Sequence, residues 1–189
     1  MTLYRPRAGD AQASPAPATV ASDDLIVYGV SLGHPDHAAA EHWLSTLPVA
    51  PVVACTHLVA DPYPHVAVSL AVPPDSPPVD PGDPDLRVAA DAAAAAHRAR
   101  RSGRAVLFPG VERLTGVRTV GQLAELSGIE RVRVLGSAEP PSADTEVDTR
   151  DHVRPQWMDG VLTLVTTPCA GGRIAPFEVP SPTPCCADH

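Results

Sequence analysis

Lysine and asparagine are missing altogether from these 189 residues, and arginine supplies all 14 basic side chains. The absence of lysine excludes a Schiff-base lysine, and it excludes the phosphate-binding lysine of a Walker A loop. Aromatic residues are scarce too: two Phe, three Tyr and two Trp. A core built instead from Ala and Val buries less area per residue, so contact with a protein partner or a second copy of the chain is expected to matter for stability. No run of 18 apolar residues occurs, and none is therefore expected to span a membrane. The opening stretch MTLYRPRAGDAQASPAPATVASDDL has no apolar segment between its charges and small residues, which does not read as a secretory signal. These absences together make a cytoplasmic location the expectation.

Excess positive charge is lacking as well. A net charge of −8 and a pI near 5.3 disfavour general nucleic-acid binding, which needs a basic face for the phosphate backbone. The local exception is Arg98, Arg100, Arg101 and Arg104, which follows an alanine-rich run and suits the favourable pole of a helix dipole. Two motifs are absent. Gly29-Val30-Ser31-Leu32-Gly33 departs from the Gly-x-Gly-x-x-Gly phosphate pattern, and none of the four cysteines forms Cys-x-x-Cys.

What is present points to one folded domain with extensions. The apolar fraction of 44% is enough for a core. The 23 prolines, about twice the usual share, gather at the N-terminus, around 73–84, around 140 and in the last dozen residues. Residues 1–23 read as a flexible arm, 24–167 as an α/β domain with a hairpin extension, and 168–189 as a Pro/Cys-rich tail. Within the domain, strands are expected at 25–30, 51–55, 65–72, 104–108 and 130–135. Helices are expected from Asp36 to about 47, from 86 to about 101, and after Thr119, whose spacing to Gln122 matches a capping box. Residues 136–150 read as a polar loop, and 152–157 with 161–167 as a β-hairpin turning through Asp159-Gly160. This alternation predicts an α/β fold: a partly parallel sheet flanked by helices, with a C-terminal hairpin and an irregular cysteine-containing tail.

Two groups of side chains carry candidate chemistry. The tail holds Cys169, Cys185, Cys186 and His189, donors suited to zinc, or to iron or copper in other geometries, although the paired spacing of ordinary zinc sites is absent. The second group lies at the carboxyl ends of the first two strands, where ligands collect in open α/β sheets. There His34, His37 and Cys55 are candidate metal ligands, with Asp36 and His57 as candidate catalytic groups handling a proton. Simpler readings stand beside these: Ser31 and Asp36 as helix caps, His37 and His42 as surface residues, and Cys55 as a small buried side chain. The functional expectation is a small metal-binding protein, as a metal-dependent hydrolase with its site at the strand ends and a structural cysteine tail. The alternatives are a noncatalytic accessory or assembly protein docking through proline-rich termini, and a thiol redox protein.

Overall fold

The computed structural model describes residues 24–179. Ten strands join in one mixed sheet: β1 (Ile26–His34), β2 (Val53–Val59), β3 (His65–Val72), β4 (Arg104–Leu107), β5 (Val117–Thr119), β6 (Arg131–Val134), β7 (Glu146–Asp148), β8 (Gln156–Met158), β9 (Val161–Pro168) and β10 (Ile174–Pro176). The helices are α1 (His37–Ser45), α2 (Arg87–Arg98) and α3 (Val120–Leu126). The sheet order is β1-β3-β2-β4-β8-β9-β10-β7-β5, with β6 alongside β9. Pairings β6–β9 and β7–β10 are parallel, and the rest are antiparallel. The α/β expectation thus holds, with its parallel part in the second half of the chain. Among the described residues, no helix is long and apolar enough to cross a membrane.

The packing of the first half follows from the alternation in β3, whose sequence HVAVSLAV is buried at every position. Val66, Val68, Leu70 and Val72 point to one face and pack with Ala40 and Leu44 of α1. Burying each such Val or Leu contributes roughly 1.5–3 kcal/mol. The opposite face carries the small residues Ala67, Ser69 and Ala71, and against it lie Ala89 and Ala93 of α2. Gly29 of β1 sits beside Ser69, and a Cβ there would stand 1.8 Å from the Ala90 carbonyl oxygen. The alanine-rich helix therefore approaches the sheet closely because both surfaces are stripped of bulk. The second half has its own core, including Leu123 of α3, Phe108, Val147, Trp157, Leu162 and Leu164.

Local signals in the sequence act where expected. Thr119 and Gln122 form a reciprocal capping box, with Thr119 Oγ1 accepting from the Gln122 amide at 3.2 Å and Gln122 Oε1 from the Thr119 amide at 2.9 Å. The β8–β9 hairpin turns on Asp159 (φ 54°) and Gly160 (φ 80°), the two positive φ values of a type I′ turn. Differences lie in the short elements. Strand β7 falls inside the expected 136–150 loop, and β10 inside the expected tail. Three-residue strands are too short to show a hydrophobic period. β2 runs on past Cys55 to Val59, which places His57 within a strand.

Candidate functional site

Strands β1 and β2 both run antiparallel to β3, so they point the same way and their carboxyl ends open on one end of the sheet. The strand-end residues named above do not share one place there. Asp36 is the N-cap of α1, its Oδ1 accepting from the Ala39 amide at 2.8 Å. Ser31 is buried and bonds His65 Nε2 at 3.0 Å. His65 Nδ1 donates to the Tyr63 carbonyl at 2.7 Å, since a carbonyl oxygen can only accept. His34 lies tilted against Trp43, with ring centroids 5.8 Å apart and its Nε2 buried without a partner. Burial lowers its pKa, with Asp36 acting the other way.

Cys55 and His57 project to the α2 face of the sheet, since they alternate with Ala54 and Thr56. The Cys55 thiol is fully buried, and burial pushes its pKa up to about 12 despite the influence of Trp157 and Ser69. It is held as a neutral thiol. His57 is different. Its Nε2 is 2.8 Å from Ser69 Oγ, and that same oxygen is 2.8 Å from His97 Nδ1 at the end of α2. Ser69 is 0% exposed, His57 8% and His97 7%. Burial lowers the pKa of both imidazoles to about 4, helped by His97 at His57 and by Arg100 and Arg98 at His97.

Both rings are therefore neutral near pH 7, and one hydroxyl with a single proton joins them. Two arrangements satisfy all three groups. Either His57 Nε2–H donates to Ser69 and Ser69 donates to His97, or the chain runs the other way. In the first, His57 Nδ1 carries a free lone pair. Moving one proton in at His57 Nδ1 and one out at His97 Nε2 converts the first arrangement into the second without leaving an imidazolium buried. Gly103, at φ 127°, leaves the space the ring needs, as a Cβ there would be 2.7 Å from His57 Cε1.

His57 lines a cleft of about 450 Å³ together with His37, Arg101, Arg104, Gln156 and Glu178. His37 and Glu41 lie one helical turn apart on α1. Burial lowers the His37 pKa, and the Arg104 charge adds to the effect. Its Nδ1 is buried without a partner. Arg104, nearly buried, ties the cleft together: its Nη1 is 2.7 Å from Glu41 Oε1, its Nε is 2.7 Å from both Glu178 oxygens, and its Nη2 also bonds Glu178. Arg154 reaches Glu41 at 2.6 Å, and His152 Nε2 lies 3.4 Å from Glu178. Burial alone would raise both glutamates. Arg154 and Arg104 at Glu41, and Arg104 and His152 at Glu178, outweigh it and hold the carboxyls below their ordinary value. Burial likewise works against the Arg104 charge, and the two glutamates outweigh it.

Of the residues named from sequence, the structure brings His37 and His57 to one cleft and keeps Cys55, His34 and Asp36 out of its lining. Cys169 caps a short 3-10 turn at Ala170–Gly172, while Cys185, Cys186 and His189 lie outside the described residues. Among the described residues, no group of three His, Cys, Asp or Glu side chains is placed to hold a metal ion. Ser69, His97, Arg104 and Glu178 were not singled out for this site by sequence reasoning. His97 carried a usable signal, since it continues the buried stripe of Ala90, Ala93 and Ala94 at helical spacing. No protein-family model matches the chain, and no curated protein or solved structure matches it either.

Proposed function

We propose that the chain is a small-molecule hydrolase whose site is the cleft at the carboxyl end of β2, with His57 moving the proton. The observation that carries this reading is the unbroken His57–Ser69–His97 chain, one end of which opens on a cleft holding Arg101 and Arg104. A base oriented by a second group, itself oriented by a third, is the recurring logic of activated nucleophiles. Here the nucleophile is water. Its oxygen attacks the carbonyl or phosphoryl centre, and its proton passes to His57 Nδ1. His57 Nε2–H passes to Ser69, the Ser69 proton to His97 Nδ1, and the Nε2 proton of His97 leaves to solvent. The bond to the leaving group breaks with its electrons on that group, which takes the proton held at His57 Nδ1. Ser69 returns its proton to His57 Nε2, His97 Nδ1 returns one to Ser69, and His97 Nε2 takes one from solvent, restoring the first arrangement. Arg104, fixed by two carboxylates, and Arg101 stabilise the negative charge that develops.

A zinc, iron or copper ion, where one takes part, would need donors beyond this cleft, because among the described residues no three His, Cys, Asp or Glu side chains are placed to hold one, and it would polarise the scissile group. Both versions are tested by one assay. Wild-type protein and the H57Q variant are compared on p-nitrophenyl acetate and p-nitrophenyl phosphate, with and without added zinc. The expected result is turnover by the wild type that falls by about 100-fold or more in H57Q, with near-UV circular dichroism unchanged. Equal rates for the two proteins under every condition would sink the reading.

A further inference from the structure

The proton chain ends in a second cavity, to which the hydrolytic reading assigns no ligand. His97 lines a cleft of about 530 Å³ on the α2 side of the sheet, a size within the range of small-molecule sites. Its apolar lining includes Val27, Val53, Phe108 and Leu162, with the buried Trp157 indole beside them. Three exposed charged side chains complete it. Arg98 donates to the Val27 carbonyl at 2.7 Å, and Glu130 accepts from the Leu162 amide at 3.2 Å. Arg100 stands 5.1 Å from the Trp157 ring centroid and, among the described residues, has no acidic partner. The Trp157 Nε1 donor is buried without a hydrogen-bond partner. The residue that aims this guanidinium over the ring adopts φ 48°, a left-handed conformation that is costly for a side chain other than glycine.

We propose that this cleft binds a monocarboxylate with an apolar body, an aromatic or medium-chain aliphatic acid. Phe108, Leu162, Val53 and Trp157 would hold the body, and Arg100 would pair with the carboxylate. The charge balance favours this sign, with two guanidinium groups against one glutamate in the lining. The apolar part selects against small inorganic anions, which would gain only the charge contact. Occupancy is felt at a distance, because His97 in this lining is bonded through Ser69 to His57 in the other cleft. The site does not depend on turnover, so binding is measured directly.

The test uses the full-length protein and three probes: phenylacetate, phenylacetamide and acetate. Binding is followed by tryptophan fluorescence and by nitrogen–proton correlation spectra. Saturable phenylacetate binding is expected, with shifts at Val53, His97 and Leu162 and a linked shift in the His57 ring. Both phenylacetamide and acetate should bind more weakly by about tenfold or more, and R100Q should bring phenylacetate down to the level of the amide. Equal affinity for the acid and the amide would overturn the assignment, as would equal affinity for acetate and phenylacetate. No saturable binding at millimolar phenylacetate, or shifts confined to other regions, would overturn it too. Where R100Q fails to fold, the acid–amide comparison on the unaltered chain decides alone.

Discussion

Replacing Ser69 by alanine removes one oxygen atom and two hydrogen bonds, and where that atom sits sets the size of the loss. Ser69 is fully buried between His57 Nε2 and His97 Nδ1, at 2.8 Å from each. In the variant, one imidazole is left with an unsatisfied N–H and the other with an unsatisfied lone pair. Each stranded buried group costs about 1–3 kcal/mol. Some relief comes from His57, which can tilt towards its cleft, so S69A is expected to lose about 2–4 kcal/mol in total. No cavity term of consequence is added, because alanine keeps the Cβ and neighbours Ala67 and Ala71 are already small. The measurement is urea unfolding of S69A against wild type at pH 7.5, with the slope checked to be unchanged. A loss below about 0.5 kcal/mol, the size of an ordinary surface substitution, would refute the claim that this hydroxyl joins the two rings.

Other consequences follow from the same packing and charges. The imidazoles of His57 and His97 fall from an ordinary pKa of 6.5 to about 4, so the unfolded chain takes up their protons first as pH drops. The stability they contribute is present above pH 6.5 and is lost between pH 6.5 and 4, by about 3 kcal/mol per ring, checked by chemical unfolding across that window. Glu41 and Glu178, held below their ordinary value, should extend the loss to lower pH as their carboxylates take up protons. G29A places a methyl carbon against the Ala90 carbonyl and should cost about 2–3 kcal/mol by forcing α2 off the sheet, visible as a lower unfolding midpoint. Cys55, with its thiol pushed up to about 12 and fully buried, should resist iodoacetamide in the native state and react once urea unfolds the chain; peptide mass mapping reports it.

How much of this was legible in the sequence depends on how local the signal is. The capping box at Thr119, the Asp159-Gly160 turn and the alanine-rich α2 each act through neighbouring residues, and each forms as read. The strand order does not act locally. Placing β3 between β1 and β2 sets His34 two strands away from His57, while α1 carries His37 into the cleft and leaves Asp36 as its cap, and nothing in the 25–55 segment encodes that insertion. Ser69 reads as one polar residue in an apolar strand; its meaning comes from His57 on β2 and His97 on α2, 12 and 28 residues away. Arg104 and Glu178 meet across 74 residues. Charge pairs of that separation leave no periodic trace, and β10, which brings Glu178 to the sheet, has too few residues to show one.

The central claim is that His57, Ser69 and His97 form one neutral proton chain opening on the cleft. Long-range nitrogen–proton spectra of the imidazole rings test it most directly, recorded on the wild type from pH 8 to pH 4. Two neutral rings are expected at pH 7 in complementary tautomers, one protonated and one bare at the nitrogens facing Ser69, neither titrating until pH approaches 4. Rings that titrate independently near 6.5, with no matching tautomer preference, would contradict it.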